Sequence, residues 1–311
     1  MIRVLFLIPN LGHGGAEKVL VNLVNYMNKQ KFDITVLTLY DDNGINKKFL
    51  SQDIKYKYCF RKSFPGIGHI LKIFSPRLLY RWLIKDSFDI VVSYLEGQTA
   101  RIICGCSDLK TKKICWIHRT MSTIQDASRM FRNEKEAKEC YKSFDYIVSV
   151  SNDVEKAFLK LFSVKHTTVL YNTNQTDLIL KMAQESINQP FDNLEFNICG
   201  MGSLISVKGF DRLIRVHYKL KKYGFPVHTY ILGEGVEKSK LIKLINDLKL
   251  DESVTLLGYQ ENPYKYIKKC DLFVCSSLSE GFSTAVTEAL ILGVPVCSVS
   301  VSGMKELLGN D

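Results

Sequence analysis

An apolar run broken only by Arg3 fills residues 2–8 and closes at Pro9, the pattern of a strand buried on both faces of a parallel sheet. Beyond a glycine-rich turn the period changes. Val19, Leu20, Leu23, Val24 and Met27 recur at helical spacing and predict a helix over 16–27. Further apolar runs predict strands at 32–39, 88–94, 113–117, 146–150 and 167–170, with helices at 126–142 and 153–162. That alternation is characteristic of a doubly wound α/β domain. A polar, Asn-rich stretch over 172–193, with Pro190 and room for one short helix, interrupts it. The pattern then restarts with strands at 196–199, 227–232, 254–257, 272–275 and 294–299, and helices at 209–222, 236–248 and 284–292. The expected organisation is two Rossmann-like doubly wound α/β domains, 1–180 and 181–311, facing a cleft, with ligands near the strand C-termini.

The 311 residues suffice for two domains, and 46% hydrophobic with 24% charged residues excludes disordered, collagen-like and coiled-coil classes. No stretch approaches the roughly 20 apolar residues that span a bilayer, and the first residues are too short for a signal-peptide core. Nine cysteines include no C-x-x-C pair and no Cys/His cluster at zinc spacing. Buried thiols in a reducing cytoplasm and no metal site are expected.

The net charge of +10 is unevenly spread. Residues 1–180 hold 27 Lys and Arg against 17 Asp and Glu, whereas 181–311 hold 15 against 15. Residues 54–85 carry eight basic residues, including Arg61, Lys62, Lys72, Arg77, Arg81 and Lys85, and no acid. Aromatic and aliphatic residues such as Phe60, Phe64, Leu78 and Trp82 lie between them. An anionic membrane surface selects that mixture; a core-packed helix over 76–85 with a solvated basic face is the other reading. No nucleic-acid-binding motif is present.

Two loops carry candidate chemistry. The first runs from Pro9 to Glu17 with Gly12, Gly14 and Gly15, where a helix start offers unpaired N–H groups to an anion. It fails the G-x-G-x-x-G dinucleotide pattern, because Glu17 stands at the third glycine. The second follows the strand at 272–275. It holds Glu280, Gly281, Phe282, Ser283 and Thr284 at a predicted helix start, with Glu288 inside that helix. The helix N–H groups suit phosphate oxygens, and Glu288 suits a vicinal diol such as a ribose. A capping Glu280 with a solvated Glu288 is the plain structural alternative.

The E-x7-E arrangement Glu280…Glu288 resembles the signature of glycosyltransferase family 4, the retaining GT-B enzymes. Other segments agree in order: Gly14-Gly15-Ala16-Glu17, Trp116-Ile117-His118, Ser149-Val150-Ser151, Val169-Leu170-Tyr171-Asn172, Gly202-Ser203-Leu204 with Lys208-Gly209-Phe210-Asp211, and Leu232-Gly233-Glu234-Gly235. The resemblance covers essentially the whole chain and implies a GT-B fold. It implies that Lys208 neutralises a donor diphosphate, helped by the N–H groups after Gly281, and that Glu288 holds the ribose. Glu280 would lie against the donor sugar, His118 would contact it from the opposite wall, and Gly15 would belong to the donor-side loop. The nucleobase would sit between the Gly233 turn and Gly258-Tyr259.

The resemblance thus implies sugar transfer from a nucleotide-sugar, a UDP-sugar before a GDP-sugar. No cofactor is implied, and the absence of D-x-D is consistent with metal independence. The basic first half points to a lipid-diphosphate-linked saccharide as acceptor and an anionic membrane surface, with no nucleic acid. The expected setting is cell-surface polysaccharide or capsule synthesis, peripheral on the cytoplasmic face of the membrane. A GT-B nucleotide-sugar 2-epimerase and a non-catalytic nucleotide-sugar-binding partner are the alternatives. Two departures stand out: Ser203 where the family usually has Arg, with Arg119 or Arg212 as substitute cations, and an end at Asp311 that suggests truncation of the C-terminal part.

Overall fold

The structure is a computed structural model that describes residues 1–12, 14–41, 44–187, 191 and 195–309. His13 of the first glycine loop and Pro190 of the polar stretch lie outside the described residues. The chain divides into two compact units, Met1–Thr173 and Asn174–Asp311.

The strands of the first unit are β1 (Ile2–Ile8), β2 (Phe32–Tyr40), β3 (Lys55–Phe60), β4 (Ile90–Ser93), β5 (Lys112–Ile117), β6 (Tyr146–Ser149) and β7 (Thr167–Val169). They form one sheet in the order β3-β2-β1-β4-β5-β6-β7, every pair parallel. Its helices are α1 (Gly15–Tyr26), α2 (Ile67–Ile73), α3 (Pro76–Leu83), α4 (Gln98–Ile103), α5 (Ile124–Ser128), α6 (Glu134–Lys142) and α7 (Asn152–Leu161). The second unit holds α8 (Thr176–Met182), β8 (Phe196–Met201), α9 (Phe210–Lys222), β9 (Val227–Leu232), α10 (Lys238–Asp247), β10 (Val254–Gly258), α11 (Tyr264–Ile267), β11 (Leu272–Cys275), α12 (Thr284–Ile291), β12 (Val296–Ser298) and α13 (Met304–Leu308). Its parallel sheet runs β10-β9-β8-β11-β12. The boundary expected from sequence, between 180 and 181, lies within α8.

Burial explains why the apolar runs became central strands. Val4 to Ile8 of β1 are all buried, with Phe6 registered against Val36 on one side and Val92 on the other. Among the elements that differ from the sequence expectation, three are instructive. Residues 55–60, with Lys and Tyr alternating, form edge strand β3; lysines on an edge suppress pairing with other chains. The helix expected over 126–142 is two, because Phe131 turns into the core and Asn133 caps α6 through the Glu136 N–H. The third is α4, a short buried helix whose apolar run gave no periodic signal.

All nine cysteines are free thiols. Among the described residues, no helix is long and apolar enough to cross a membrane, and no group of three His, Cys, Asp or Glu is placed to hold a metal ion.

Candidate functional site

In the second unit, β8 and β11 are neighbours, although the chain builds β9 and β10 on the far side of β8. The crossover direction therefore reverses between β8 and β11, the switch point where open parallel sheets bind ligands. The loop after β8 passes through Gly202 and Ser203 into a 3-10 turn, Ser206–Lys208, and then into α9 at Gly209, which is left-handed at φ 63°. A Cβ on Gly209 would stand 2.3 Å from the Ser276 carbonyl oxygen, so this loop and the loop after β11 meet backbone to backbone. The Ser276 hydroxyl adds a 2.9 Å hydrogen bond to the Lys208 carbonyl.

That contact sets Lys208 against Glu280. Nζ lies 2.6 Å from Oε1, and the Ser277 hydroxyl donates to the same oxygen at 2.6 Å. The side chains keep 26% and 11% of their surface exposed, so the ammonium is partly desolvated yet open to an incoming anion. Its pairing is stronger than the same pair in water. Ser283, rather than Glu280, caps α12, its Oγ accepting from the Val286 N–H. Gly281 and Phe282 lie just before this cap and Thr284 opens the helix. Glu288 is 2% exposed, which rules out the solvated alternative, and accepts a 3.3 Å hydrogen bond from the Tyr264 hydroxyl. Such a carboxylate needs donors around it. The turn after β9 is equally constrained. Gly233 has φ 142°, and a Cβ there would meet the Gly202 carbonyl at 1.9 Å. The Gly233 N–H donates to the Gly258 carbonyl at 2.8 Å, and the neighbouring Tyr259 is 40% exposed.

The first unit holds a different arrangement. At the ends of β4 and β5 the rings of Tyr94 and His118 stand 4.8 Å apart, and those of Tyr94 and Trp116 5.0 Å apart. Tyr94 Oη, Trp116 Nε1 and His118 Nε2 are buried without a hydrogen-bond partner among the described residues. Although His118 keeps part of its surface open, burial of the ring pushes its pKa down to about 3. The imidazole is therefore neutral at pH 7. Its backbone N–H donates to Glu96 Oε2 at 3.0 Å, and Arg119 Nε lies 3.2 Å from Glu96 Oε1. Burial raises the Glu96 carboxyl, opposed by the His118 N–H and the Arg119 charge. Arg119 also pairs with Asp126. Gly15 opens α1 behind Gly14, the N-cap, over which the Glu17 carboxylate folds; a Cβ on Gly14 would be 2.0 Å from Glu17 Oε2.

The basic segment presents Arg61, Lys62, Arg77, Arg81 and Lys85 at the surface. Lys72 differs: its ammonium donates to the Arg129 carbonyl and is turned towards the α5–α6 loop. In α3 Leu79 is buried, whereas Leu78 and Trp82, one turn apart, are exposed beside Arg77 and Arg81. Of the two sequence readings, the core-packed helix therefore accounts for one face of α3 and leaves the other unexplained.

The sequence profile of Glycosyltransferase Family 4 matches residues 13–177, and that of Glycosyl transferases group 1 matches 182–311. The chain belongs to glycosyltransferase family 4. This glycosyltransferase is 28% identical over 320 residues to N-acetylgalactosamine-N,N'-diacetylbacillosaminyl-diphospho-undecaprenol 4-alpha-N-acetylgalactosaminyltransferase of Campylobacter jejuni, covering 98% of this chain and 82% of that one. It is 23% identical to the lipopolysaccharide core biosynthesis glycosyltransferase LpsD of Rhizobium meliloti, over 96% of this chain and 78% of the relative. Its fold matches HepE of Anabaena in complex with UDP and glucose, with TM-score 0.75, 19% identity and coverage of 100% and 84% of the two chains. It also matches the sucrose-phosphate synthase of Thermosynechococcus elongatus, with TM-score 0.78, 15% identity and coverage of 98% and 83%. The fold is GT-B, and the enzyme is a glycosyltransferase that uses a nucleotide-sugar.

The structure thus brings Lys208, Glu280, Gly281, Phe282, Ser283, Thr284 and Glu288 to one switch point, with Gly233 and Tyr259 on the adjoining turns. Gly15 and His118 belong to the first unit. Of the cations considered for the place of Ser203, Arg212 reaches this loop cluster, donating to the Ser276 carbonyl at 3.4 Å, whereas Arg119 is held by Glu96 and Asp126. Sequence reasoning missed Glu96, Ser277 and Tyr264. A strand-end carboxylate before Gly97 was a usable signal for Glu96. Tyr264 sits 24 residues from Glu288 on another helix and left none.

Proposed function

We propose that this enzyme moves a hexosyl group from a UDP-sugar, with retention at the anomeric carbon, to a lipid-diphosphate-linked saccharide in cell-surface polysaccharide synthesis. The observation that carries the proposal is the Lys208–Glu280 pair, a partly desolvated cation beside a capped helix start and a buried carboxylate. Breaking the sugar–phosphate bond leaves negative charge on the departing diphosphate, and a fixed cation is worth most where that charge grows. Lys208 exchanges Glu280 for diphosphate oxygens, and the N–H groups at the start of α12 add to it. Glu280, released, accepts from sugar hydroxyls, and Glu288 accepts from the ribose diol. The neutral ring of His118 suits hydrogen bonding to a sugar hydroxyl. The Gly233 turn and Tyr259 offer a backbone edge and an aromatic face to the base. With Lys208 supplying the cation, the reaction is proposed to need no metal ion or other cofactor.

The acceptor assignment rests on the basic first unit and on the name of the Campylobacter relative, which specifies a diphospho-undecaprenol acceptor for that protein. The UDP assignment draws on HepE, crystallised with UDP-glucose. Arg61, Lys62, Arg77, Arg81 and Lys85 are proposed to hold the enzyme on the anionic cytoplasmic face of the membrane, at about 1 kcal/mol for each basic residue near the surface. The test is transfer from a panel of UDP- and GDP-sugars to polyprenyl-diphosphate saccharides with a chelator present. Transfer from a UDP-sugar with the donor's anomeric configuration retained is expected. Inversion, an absolute need for a divalent ion, or hydrolysis without transfer contradicts the proposal.

A further inference from the structure

The edge of the first sheet carries a cavity of about 410 Å³ that none of the roles above uses. Its floor is one sheet face, formed by Leu5, Thr35, Leu37 and, on edge strand β3, Lys57 and Cys59. Its other wall is the end of α3 and the segment leading to β4, from Trp82 to Phe88. Among the described residues no strand lies beyond β3, so this end of the sheet carries no further ladder there. Trp82 packs edge-on to Phe60 at 6.0 Å between ring centres, yet remains 51% exposed. The volume falls within the usual range of small-molecule sites. Burial pushes the Cys59 thiol up to about 12, so it lines the cavity as an uncharged group. Lys57 is neutralised by Asp86.

The surroundings say what would enter. Arg81 flanks Trp82 and Lys85 lines the cavity itself, both exposed, within a segment that holds eight basic residues and no acid. Leu78 and Ile73 are exposed nearby in sequence. The stretch that leads into α3 is tied down by two arginines. Arg101, itself 2% exposed, donates to the carbonyls of Leu71 and Phe74 while forked onto Glu136. Arg132 Nε donates to the Lys72 carbonyl at 2.6 Å. An apolar slot bounded by exposed cations complements a ligand with an anionic head and a hydrocarbon tail.

We propose that this cavity takes one hydrocarbon chain of an anionic membrane phospholipid, whose headgroup lies against Arg81 and Lys85. The inference rests on the membrane reading of the basic segment. It adds a specific chain site to what would otherwise be a diffuse electrostatic surface.

Three measurements on the full chain separate the two. The first is sedimentation with phosphatidylglycerol or phosphatidylcholine vesicles. The second is titration with cis-parinaric acid as a monomer, read by energy transfer from tryptophan and competed by lysophosphatidylglycerol or lysophosphatidylcholine. The third repeats the titration on Cys59→Phe, which fills the slot, on Cys59→Ala, which does not, and on Trp82→Phe, each first shown to melt cooperatively. Expected are association with phosphatidylglycerol vesicles only and saturable binding of one parinarate per chain. Lysophosphatidylglycerol should displace the probe better than lysophosphatidylcholine. Cys59→Phe should weaken probe binding about tenfold by removing buried methylenes, Cys59→Ala should leave it intact, and Trp82→Phe should lower the transfer signal. Vesicle association without saturable probe binding, or probe binding indifferent to Cys59→Phe, overturns the slot and leaves the membrane reading standing. Probe binding without preference for the anionic competitor, from a chain that ignores phosphatidylglycerol vesicles, overturns the membrane reading and the headgroup assignment together.

Discussion

The two units hold polar groups at the end of a parallel sheet in different ways. In the second, Lys208 and Glu280 stay charged by neutralising one another at 2.6 Å, with Ser277 sharing the carboxylate. In the first, the rings of His118, Tyr94 and Trp116 carry no charge, burial holding the imidazole neutral, beside a Glu96–Arg119 ion pair whose carboxylate also accepts the His118 backbone N–H. The net charges run the other way. Unit 1 carries 27 basic against 16 acidic residues, and unit 2 carries 15 against 16. Under the proposed function, bulk charge and site charge are separate devices: one would bring an anionic partner to a surface, the other would meet charge as it forms.

Removing the charge from one side tests this comparison most severely. Lys208→Ala should lower turnover by about 10²–10³-fold, the usual cost of losing a group that stabilises developing negative charge. Steady-state sugar transfer reads it, and a variant within twofold of the parent would remove Lys208 from the mechanism. Glycines sharpen the contrast in backbone packing. Gly233→Ala must fit a Cβ into 1.9 Å from the Gly202 carbonyl at φ 142°, and should cost about 2–4 kcal/mol in denaturant melts. Gly68→Ala in α2, where nothing lies within 4 Å, should instead stabilise by about 0.5–1 kcal/mol. Equal effects would show that the loops of unit 2 are not locked as described.

Glu280→Gln divides ground-state binding from chemistry. It frees Lys208, so UDP affinity should hold or tighten by up to about tenfold while sugar transfer falls, since the lost charge-assisted bonds fall on the sugar alone. Weaker UDP binding with unchanged transfer is the contrary outcome. A further prediction concerns pH. His118 is held near 3 when folded against an ordinary 6.5, so below pH 6.5 the unfolded chain takes up a proton that the folded one refuses. Stability is therefore lost as pH falls from 6.5 towards 3 and is unaffected above 6.5. The raised Glu96 carboxyl acts in the opposite sense, its contribution weakening as pH rises above 4.5. His217, buried against Thr229 and Ser253 and lowered to about 4, adds to the acid loss. His118→Gln should therefore lose less stability than the parent between pH 7 and 5 in thermal melts. An unchanged slope would mean that the ring titrates freely.

Much of this was legible in the chain because parallel strands buried on both faces leave continuous apolar runs, as 2–8 and 272–275 did. The switch-point residues were legible because loop chemistry there is local: Glu280 to Thr284 and Glu288 lie within nine residues. What escaped depends on contacts far apart in sequence. Residues 55–60 gave no strand signal because an edge strand with a solvated lysine face lacks the apolar run of a central one. Helix 126–142 broke because Asn133 offers a better cap than continuation, a competition that periodicity does not report. Lys72 was counted with the surface cations because composition cannot show that its ammonium reaches the Arg129 carbonyl. Tyr264 and Glu96 complete their sites from separate elements, and only the fold brings them in.

The central claim is that the charged switch point of the second unit, and not the neutral cluster of the first, grips the donor diphosphate. Calorimetric binding of UDP and of uridine, with a chelator present, to the parent chain, Lys208→Ala and His118→Ala tests it most directly. The account predicts that UDP binds the parent well above uridine, that Lys208→Ala removes most of this difference, and that His118→Ala leaves it nearly intact. If Lys208→Ala binds UDP as the parent does, or if His118→Ala is the variant that loses it, the account is contradicted.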